Sequence, residues 1–305
     1  IDEICIVDNG TGMTIEALES CLAVGGRDDG DDNHENHTGR FGYGLPNSSM
    51  SQCKKVEVYS WQKKDDIYYT YLDFDEVLKN QEQFCNPVEK KDLPKKITDC
   101  LENKINVTGT VIIWSKCDRL DIARSETLFN HMNDDLCRTF RHRLDNDESY
   151  GKKVSINYLI ADKDFNKFFV ANDPIYILTP NTTPEHENEA TNEIVSEDDI
   201  PINYLDDDMS IKTHNVKMIF TVAKPSIQAI GGGKPLGKHY AKNVGISVVR
   251  NAREINSKTF GFFNPFEERE RWWGCEIRYG DSNIEITKKI DSIFLEKLLS
   301  FFSNI

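Results

Sequence analysis

The stretch DNGTG, Asp8 to Gly12, places one carboxylate and two glycines directly after an apolar run. An aspartate side chain can accept a hydrogen bond from an exocyclic amine, and glycine allows a flat ring to approach the backbone closely. Alone, the tripeptide DNG is most often a simple turn. The segment therefore indicates either a turn or a recognition site for a planar, amine-bearing group.

A second segment, HTGRFGYGLPNSS, carries Gly39, Gly42 and Gly44 and leads into a predicted helix. Free amides at the start of a helix and the positive end of its dipole together favour anions. A flexible surface turn is the alternative. A third segment, TGT at 108–110, begins a predicted strand, and we expect the Thr110 hydroxyl to point towards Asp8.

The elements around these segments follow from apolar periodicity and capping residues. EICIVD is predicted as a strand and TIEALESCLAV as a helix with Thr14 as its N-cap. LPNSSMSQC is predicted as a helix with Pro46 in its first turn. Three further strands, KVEVYSW, IYYTYLDF and TGTVIIWSKC, precede the helical pattern of RSETLFNHMNDDLCRTFRHRL.

The second half of the chain is rich in predicted strands: KVSINYLIA, KFFVANDPIYIL, NVKMIFTVAK and NVGISVVRN. Between them, 180–208 is acidic and is interpreted as an exposed insertion or partly disordered loop. KKIDSIFLEKLLSFFSNI predicts an amphipathic C-terminal helix. We therefore predict three parts: a first domain at 1–148, a second at 149–282 and a helix at 283–305.

Composition narrows the class of protein. A chain of 305 residues is long for a single core, which favours two domains. The net charge of −14 argues against wrapping nucleic acid by bulk electrostatics. Eight cysteines without a C-x-x-C pair suit a reducing cytosol, and no apolar run predicts a membrane span. The chain opens without Met inside a predicted strand, so we expect a segment before Ile1.

The motifs and predicted elements follow one another in this order: D-x-G-x-G, helix, polar loop, G-x-x-G-x-G, helix, strands and G-T. This order resembles that of the GHKL superfamily of ATP-binding proteins. This superfamily includes DNA gyrase B subunits, large heat-shock chaperones, sensor histidine kinases and MutL. The resemblance implies an α/β fold, an α+β sandwich of the Bergerat type, that binds ATP and Mg²⁺. A β-rich domain like the transducer of gyrase and MutL would follow it.

The resemblance also implies roles for individual residues. Asp8 would bind the adenine amino group, Gly12 would pack beneath the base, and Thr110 would support both through a water. The segment 25–38 would be an ATP lid with its phosphate-binding glycines at the end. The implied nucleotide-binding set is Asp8, Gly10, Gly12, Met13, Gly39, Arg40, Phe41, Gly42, Tyr43, Gly44, Leu45 and Thr110.

In relatives with a transducer, that domain lends a lysine to the γ-phosphate. The glycine-rich basic loop GGGKPLGKHYAKNVG offers Lys234, Lys238 and Lys242, although an ordinary solvated loop is equally consistent with any one of them. The run ERERWWGCEI is similar to Microrchidia ATPases and their bacterial relatives, many of which lie near defence genes. For Trp272 and Trp273 within it, core packing is the favoured interpretation.

The chain departs from the superfamily pattern in two places. The glutamate that acts as general base and the asparagine that holds Mg²⁺ normally lie upstream of D-x-G-x-G, and so would precede Ile1; Glu3 is not a substitute. Relatives with the WWGCEI run also continue into a polar loop with a lysine and a glutamine. Here CEIRYGDSN passes directly to the predicted C-terminal helix.

Two functions fit these features. The first is an ATPase switch that dimerises when ATP binds and acts with DNA or a defence effector protein. The second is a nucleotide-gated interaction module that binds ATP without useful hydrolysis. A chaperone is a weaker third, because no long client-binding segment follows.

Overall fold

In the computed structural model the chain divides into two units, Ile1–Leu128 and Phe129–Ile305. The structure describes only the backbone of residues 202, 204, 205 and 214. The described residues are 1–25, 42–81, 86–101, 107–146, 150–205, 209–259, 264 and 267–279.

The first unit contains a five-stranded sheet in which every neighbouring pair is antiparallel. Its order is β1-β5-β2-β3-β4, so β1 is an edge strand. The three strands predicted after the glycine segment are confirmed, and β4 was not predicted. The strands are β1 (Glu3–Asp8), β2 (Lys55–Trp61), β3 (Tyr68–Asp73), β4 (Glu89–Lys90) and β5 (Gly109–Ser115).

Four helices accompany this sheet: α1 (Ile15–Ser20), α2 (Gly44–Gln52), α3 (Phe74–Asn80) and α4 (Lys95–Cys100). The predicted N-cap of α1 is confirmed, because the Thr14 side chain accepts a hydrogen bond from the Ala17 amide at 3.1 Å. Pro46 lies in the first turn of α2, as predicted.

Each face of the sheet carries its own apolar cluster. On one face, Val56 and Val58 pack with Leu18 and Leu22, the buried residues of the α1 region, and Leu45 of α2 packs against this cluster. On the other face, a cluster of aromatic residues of β2 and β3 packs with Ile97 of α4. The central strands β2 and β5 are therefore mostly buried, whereas the edge strands β1 and β4 are largely exposed.

The division between the units falls inside α5 (Ser125–Thr139), whereas the polar stretch around 148 predicts it later. Phe129 of α5 packs against Tyr158, Phe165 and Phe169, which all belong to the second unit. These ring contacts explain why most of α5 groups with the second unit.

No described helix is long and apolar enough to cross a membrane.

The second unit contains a five-stranded sheet of order β11-β10-β12-β9-β8 and a separate hairpin, β6-β7. Strands β10 and β12 pair in parallel, and the other neighbours are antiparallel. Its further elements are α6 (Arg141–Leu144), β6 (Asn157–Ile160), β7 (Phe165–Phe168), β8 (Asn192–Leu205), β9 (Ile211–Ala223), α7 (Pro225–Gln228), α8 (Pro235–Asn243), β10 (Ile246–Arg250), β11 (Arg253–Lys258) and β12 (Trp273–Tyr279).

The interpretation of 180–208 as an exposed insertion or disordered loop is wrong for much of its length. Residues Asn192–Leu205 form the edge strand β8, paired with β9 from Asn192 to Leu205 with one register shift between Ile194 and Ser196. The acidic side chains of β8 suit an edge strand, where charge discourages further strand pairing. Composition therefore pointed to a loop where long-range pairing makes a strand.

Two other elements differ from their sequence patterns. KFFVANDPIYIL was predicted as a strand, but after β7 it becomes a compact loop. There the Asp173 carboxylate accepts hydrogen bonds from the amides of Ile175, Ile177 and Leu178. Likewise, GGGKPLGKHYAKNVG contains the helix α8 and is not a loop throughout. The predicted helix at 283–305 lies outside the described residues.

Candidate nucleotide-binding site

One row of polar side chains crosses three neighbouring strands of the first unit. Asp8 at the end of β1 pairs in register with Thr110 of β5, and Thr110 pairs with Ser60 of β2. Cross-strand partners point to the same face of a sheet, so the three side chains share the face that α1 and α2 cover. Asp8 is exposed, whereas Thr110 and Ser60 are buried.

The Asp8 carboxylate is held at the exposed end of this row. Its Oδ1 accepts a hydrogen bond from the Gly10 amide at 2.8 Å. Among the described residues no group donates to its Oδ2. A carboxylate has further lone pairs after one such bond, so Asp8 can accept a hydrogen bond from an incoming amine.

Gly12 is required by the local backbone. Its φ is +71°, and a Cβ at this position would lie 2.1 Å from the Trp61 carbonyl oxygen. Gly109 is similarly enclosed, since its Cβ would lie 2.6 Å from the Asp8 carbonyl oxygen. Both glycines therefore bring the DNGTG turn close to the ends of β2 and β5, whether or not a ligand is bound.

Ser60 was not among the residues predicted from the sequence. Its hydroxyl oxygen lies 2.8 Å from the Met13 amide, 3.1 Å from Thr110 Oγ1 and 3.2 Å from the Gly109 carbonyl oxygen. A signal was present, because the apolar alternation of Val56 and Val58 continues to a serine. That position faces a core and needs hydrogen-bond partners when buried.

The start of α2 exposes backbone donors. Tyr43, the N-cap, makes no side-chain capping bond, and Gly42 has a φ of +63°. Asn47 donates its amide to the Tyr43 carbonyl oxygen, and Pro46 has no N–H, which leaves the amides of Gly44 and Leu45 as the donors of the first turn. A Cβ on Gly44 would meet nothing within 4 Å.

The first residue of the predicted lid segment 25–38 contacts the glycine that precedes α2. The Gly25 amide donates to the Gly42 carbonyl oxygen at 3.3 Å. The intervening stretch includes three predicted phosphate-site residues, Gly39, Arg40 and Phe41, which lie outside the described residues.

Residues 1–106 match the family model of histidine kinase-, DNA gyrase B- and HSP90-like ATPases. This part of the chain is a GHKL-type ATPase domain. No curated protein matches the chain significantly. The matched residues include the DNGTG turn and the start of α2, so two of the three segments singled out above belong to the GHKL domain itself.

Other predicted residues of the GHKL domain have structural surroundings of their own. Met13 and Leu45 are partly buried against the apolar cluster beneath α1 and α2, and Tyr43 is about half exposed. Glu3 pairs in register with Ser115 and forms an ion pair with Lys96 at 2.5 Å. It lies five positions before Asp8 on β1, which places it on the opposite face of the sheet.

The three candidate lysines of the second unit are exposed. Lys234 is the N-cap residue of α8, and Lys238 and Lys242 follow on that helix at intervals of four residues. Lys242 lies 3.7 Å from the Asp134 carboxylate. Spacing of four residues puts the three side chains along one side of α8.

Core packing, the interpretation favoured for the two tryptophans, is confirmed for Trp272. It is buried in a cluster with Tyr176, Leu236 and Tyr240, and its ring centroid lies 5.0 Å from that of Tyr240. In the described part of the chain, no three His, Cys, Asp or Glu side chains group closely enough to hold a metal ion.

Proposed function

We propose that the first unit binds ATP with its base at the Asp8–Thr110 row. The observation that carries the proposal is the register of β1 and β5, which sets an exposed carboxylate beside a buried hydroxyl in a GHKL domain. Asp8 would accept a hydrogen bond from the adenine amino group. Thr110 would contact the base directly or through a water.

The phosphates would lie at the start of α2. The amides of Gly44 and Leu45 and the positive end of the helix favour an anion there. Gly39, Arg40, Phe41, Gly42 and Tyr43 would line the same path, by analogy with the superfamily. Any Mg²⁺ would accompany the phosphates and neutralise part of their charge.

We further propose that ATP binding acts as a switch. By that analogy, the segment that starts at Gly25 would close over the nucleotide, and two chains would dimerise through their GHKL domains. The second unit would act as the transducer and supply Lys234, Lys238 or Lys242 to the γ-phosphate. Slow hydrolysis would reset the cycle, and DNA or a defence effector protein would be the partner.

A nucleotide-gated module without useful turnover is the second candidate. Glu3 would not supply a general base, because it is paired with Lys96 on the other face of β1, so β1 itself contributes binding and no hydrolysis. Among the described residues, Asp8 is the one carboxylate of the polar row. In this case ATP would order the domain for a partner and would remain uncleaved.

Asp8→Asn is expected to weaken ATP binding by about 1–3 kcal/mol, the cost of losing a hydrogen bond to a charged acceptor. The substitution is mild, because the asparagine Oδ1 can still accept from the Gly10 amide. Calorimetric titration of the chain with ATP measures the effect. Asp65→Asn is the matched control: it lies at a turn with φ of +63°, which asparagine tolerates. Unchanged affinity in Asp8→Asn would refute the proposed base site.

Steady-state turnover separates the two candidates. ATP hydrolysis per chain that rises with protein concentration is expected for a dimerising switch, and stimulation by double-stranded DNA would identify that partner. The assay uses the full-length protein, including any residues before Ile1, over a range of protein concentrations, with and without DNA. ATP binding without turnover at any concentration would exclude the switch and leave the gated module.

A further inference from the structure

We infer that Ser60 is a positioning residue that sets the Thr110 hydroxyl as a hydrogen-bond donor and thereby favours adenine over guanine. This inference rests on the proposed ATP site. Ser60 is fully buried at the inner end of the polar row, in register with Thr110 of β5, which lies between Ser60 and Asp8. It does not contact the exposed end of the row where Asp8 lies, so any effect on the base passes through Thr110.

The hydrogen bonds around Ser60 allow two arrangements. A serine hydroxyl has one hydrogen and two lone pairs, and the Met13 amide occupies one lone pair at 2.8 Å. If Ser60 donates to the Gly109 carbonyl oxygen, Thr110 must donate to Ser60 and offers only lone pairs to a ligand. If Ser60 donates to Thr110 Oγ1, at 3.1 Å, the hydrogen of Thr110 is available to a ligand.

The two purines distinguish between these arrangements. Adenine presents an amino donor at C6 and an acceptor at N1, whereas guanine presents an acceptor at O6 and a donor at N1. Asp8 as a carboxylate only accepts, so the complementary partner for adenine is a donor at Thr110. The arrangement in which Ser60 donates to Thr110 therefore matches adenine, and it opposes guanine at both groups.

Ser60 also has a structural role, which must be separated from selectivity. Ser60→Ala leaves the Met13 amide without its acceptor, and this loosens the DNGTG turn. A loosened turn would weaken the binding of both nucleotides equally. Loss of the Ser60 hydroxyl also leaves the Thr110 hydroxyl free to rotate. This rotation weakens ATP binding and removes one repulsive contact to GTP, so the ratio of the two affinities changes.

The experiment is calorimetric titration of the full chain with ATP and with GTP. In Ser60→Ala the preference for ATP over GTP is expected to fall about fivefold to tenfold, the effect of one misdirected hydrogen bond. Ser60→Thr restores a hydroxyl and is expected to recover the preference. Ser49→Ala is the matched control, because Ser49 is equally buried and bonds Leu45 and Trp114 instead of the polar row.

The outcomes separate this inference from the proposal on which it rests. If Ser60→Ala weakens ATP and GTP by the same factor, Ser60 is structural only and the inference is overturned, while the ATP site stands. If ATP does not bind the parent chain, or Asp8→Asn binds it normally, the ATP site itself fails. Should Ser60→Ala not fold, Ser60→Cys keeps the size of the side chain with a weaker donor, and an unchanged preference in it would overturn the inference.

Discussion

Arg141→Met is expected to lower the free energy of unfolding of the second unit by about 3–5 kcal/mol, because it leaves buried carboxylates without their cation. The Arg141 side chain is fully buried. Its Nε donates to Glu276 at 2.9 Å, and its Nη1 donates to Glu254 at 2.7 Å. The Asp173 carboxylate lies 3.8 Å away. Methionine has a similar length but supplies none of these donors.

An exposed ion pair of the same unit provides the control. Lys217 and Glu197 approach to 2.6 Å across β9 and β8, but their side chains are 44% and 45% exposed. Exposed pairs contribute little, so Lys217→Met should cost at most about 1 kcal/mol. Hydrogen exchange of the β12 amides under mild denaturant reports on this unit alone. Equal losses of unfolding free energy in Arg141→Met and Lys217→Met would show that burial does not increase the contribution of the Arg141 ion pairs to stability.

Glu276 adds a dependence on pH. Burial alone would raise its pKa, but Arg141 and His142 outweigh burial and hold the pKa of Glu276 well below its usual value. A depressed folded-state pKa stabilises the unit above the unfolded-state value of about 4.3, and this contribution is lost as the pH falls towards the folded-state pKa.

Glu276→Gln should therefore be clearly less stable than the parent at pH 7, and the difference should narrow below about pH 4. Unfolding free energies at a series of pH values test this expectation. A difference that stayed constant down to pH 3 would mean that Glu276 does not titrate through this network.

Much of the first unit could be predicted from the sequence because its signals are local. The capping of α1 by Thr14, the start of α2 and the alternation of β2, β3 and β5 each depend on residues close in the chain. The family resemblance rested on the same local motifs, and the match over residues 1–106 confirms it.

What escaped prediction depends on partners far apart in the sequence. Arg141 bonds Glu276, 135 residues later, and the helical pattern of RHRL gives no sign of that contact. β8 became a strand because β9 pairs with it, although its acidic composition favoured a loop. Ser60 depends on Thr110 of a strand 50 residues away. Periodicity describes which face a side chain occupies, but it does not say what lies opposite.

Gly12→Ala is expected to destabilise the first unit by roughly 2–5 kcal/mol. The left-handed backbone at φ +71° costs an L-residue about 1–2 kcal/mol, and overpacking adds about 1–3 kcal/mol. The clash is severe because the atom met at 2.1 Å is the Trp61 carbonyl oxygen, a backbone atom that cannot rotate away. Chemical denaturation followed by hydrogen exchange of the β5 amides measures the loss.

For Gly44→Ala, in contrast to Gly12→Ala, we expect no loss of stability, and this variant tests the phosphate site. Its Cβ would project into open space at the first residue of α2, where alanine should hold or slightly raise stability, by up to about 1 kcal/mol. If the Gly44 amide binds a phosphate, the added methyl group obstructs that approach and ATP affinity falls while stability does not. A Gly44→Ala chain with unchanged ATP affinity would place the phosphates elsewhere.

For the other glycine variant, a Gly12→Ala chain as stable as the parent would show that the DNGTG turn can relax away from β2.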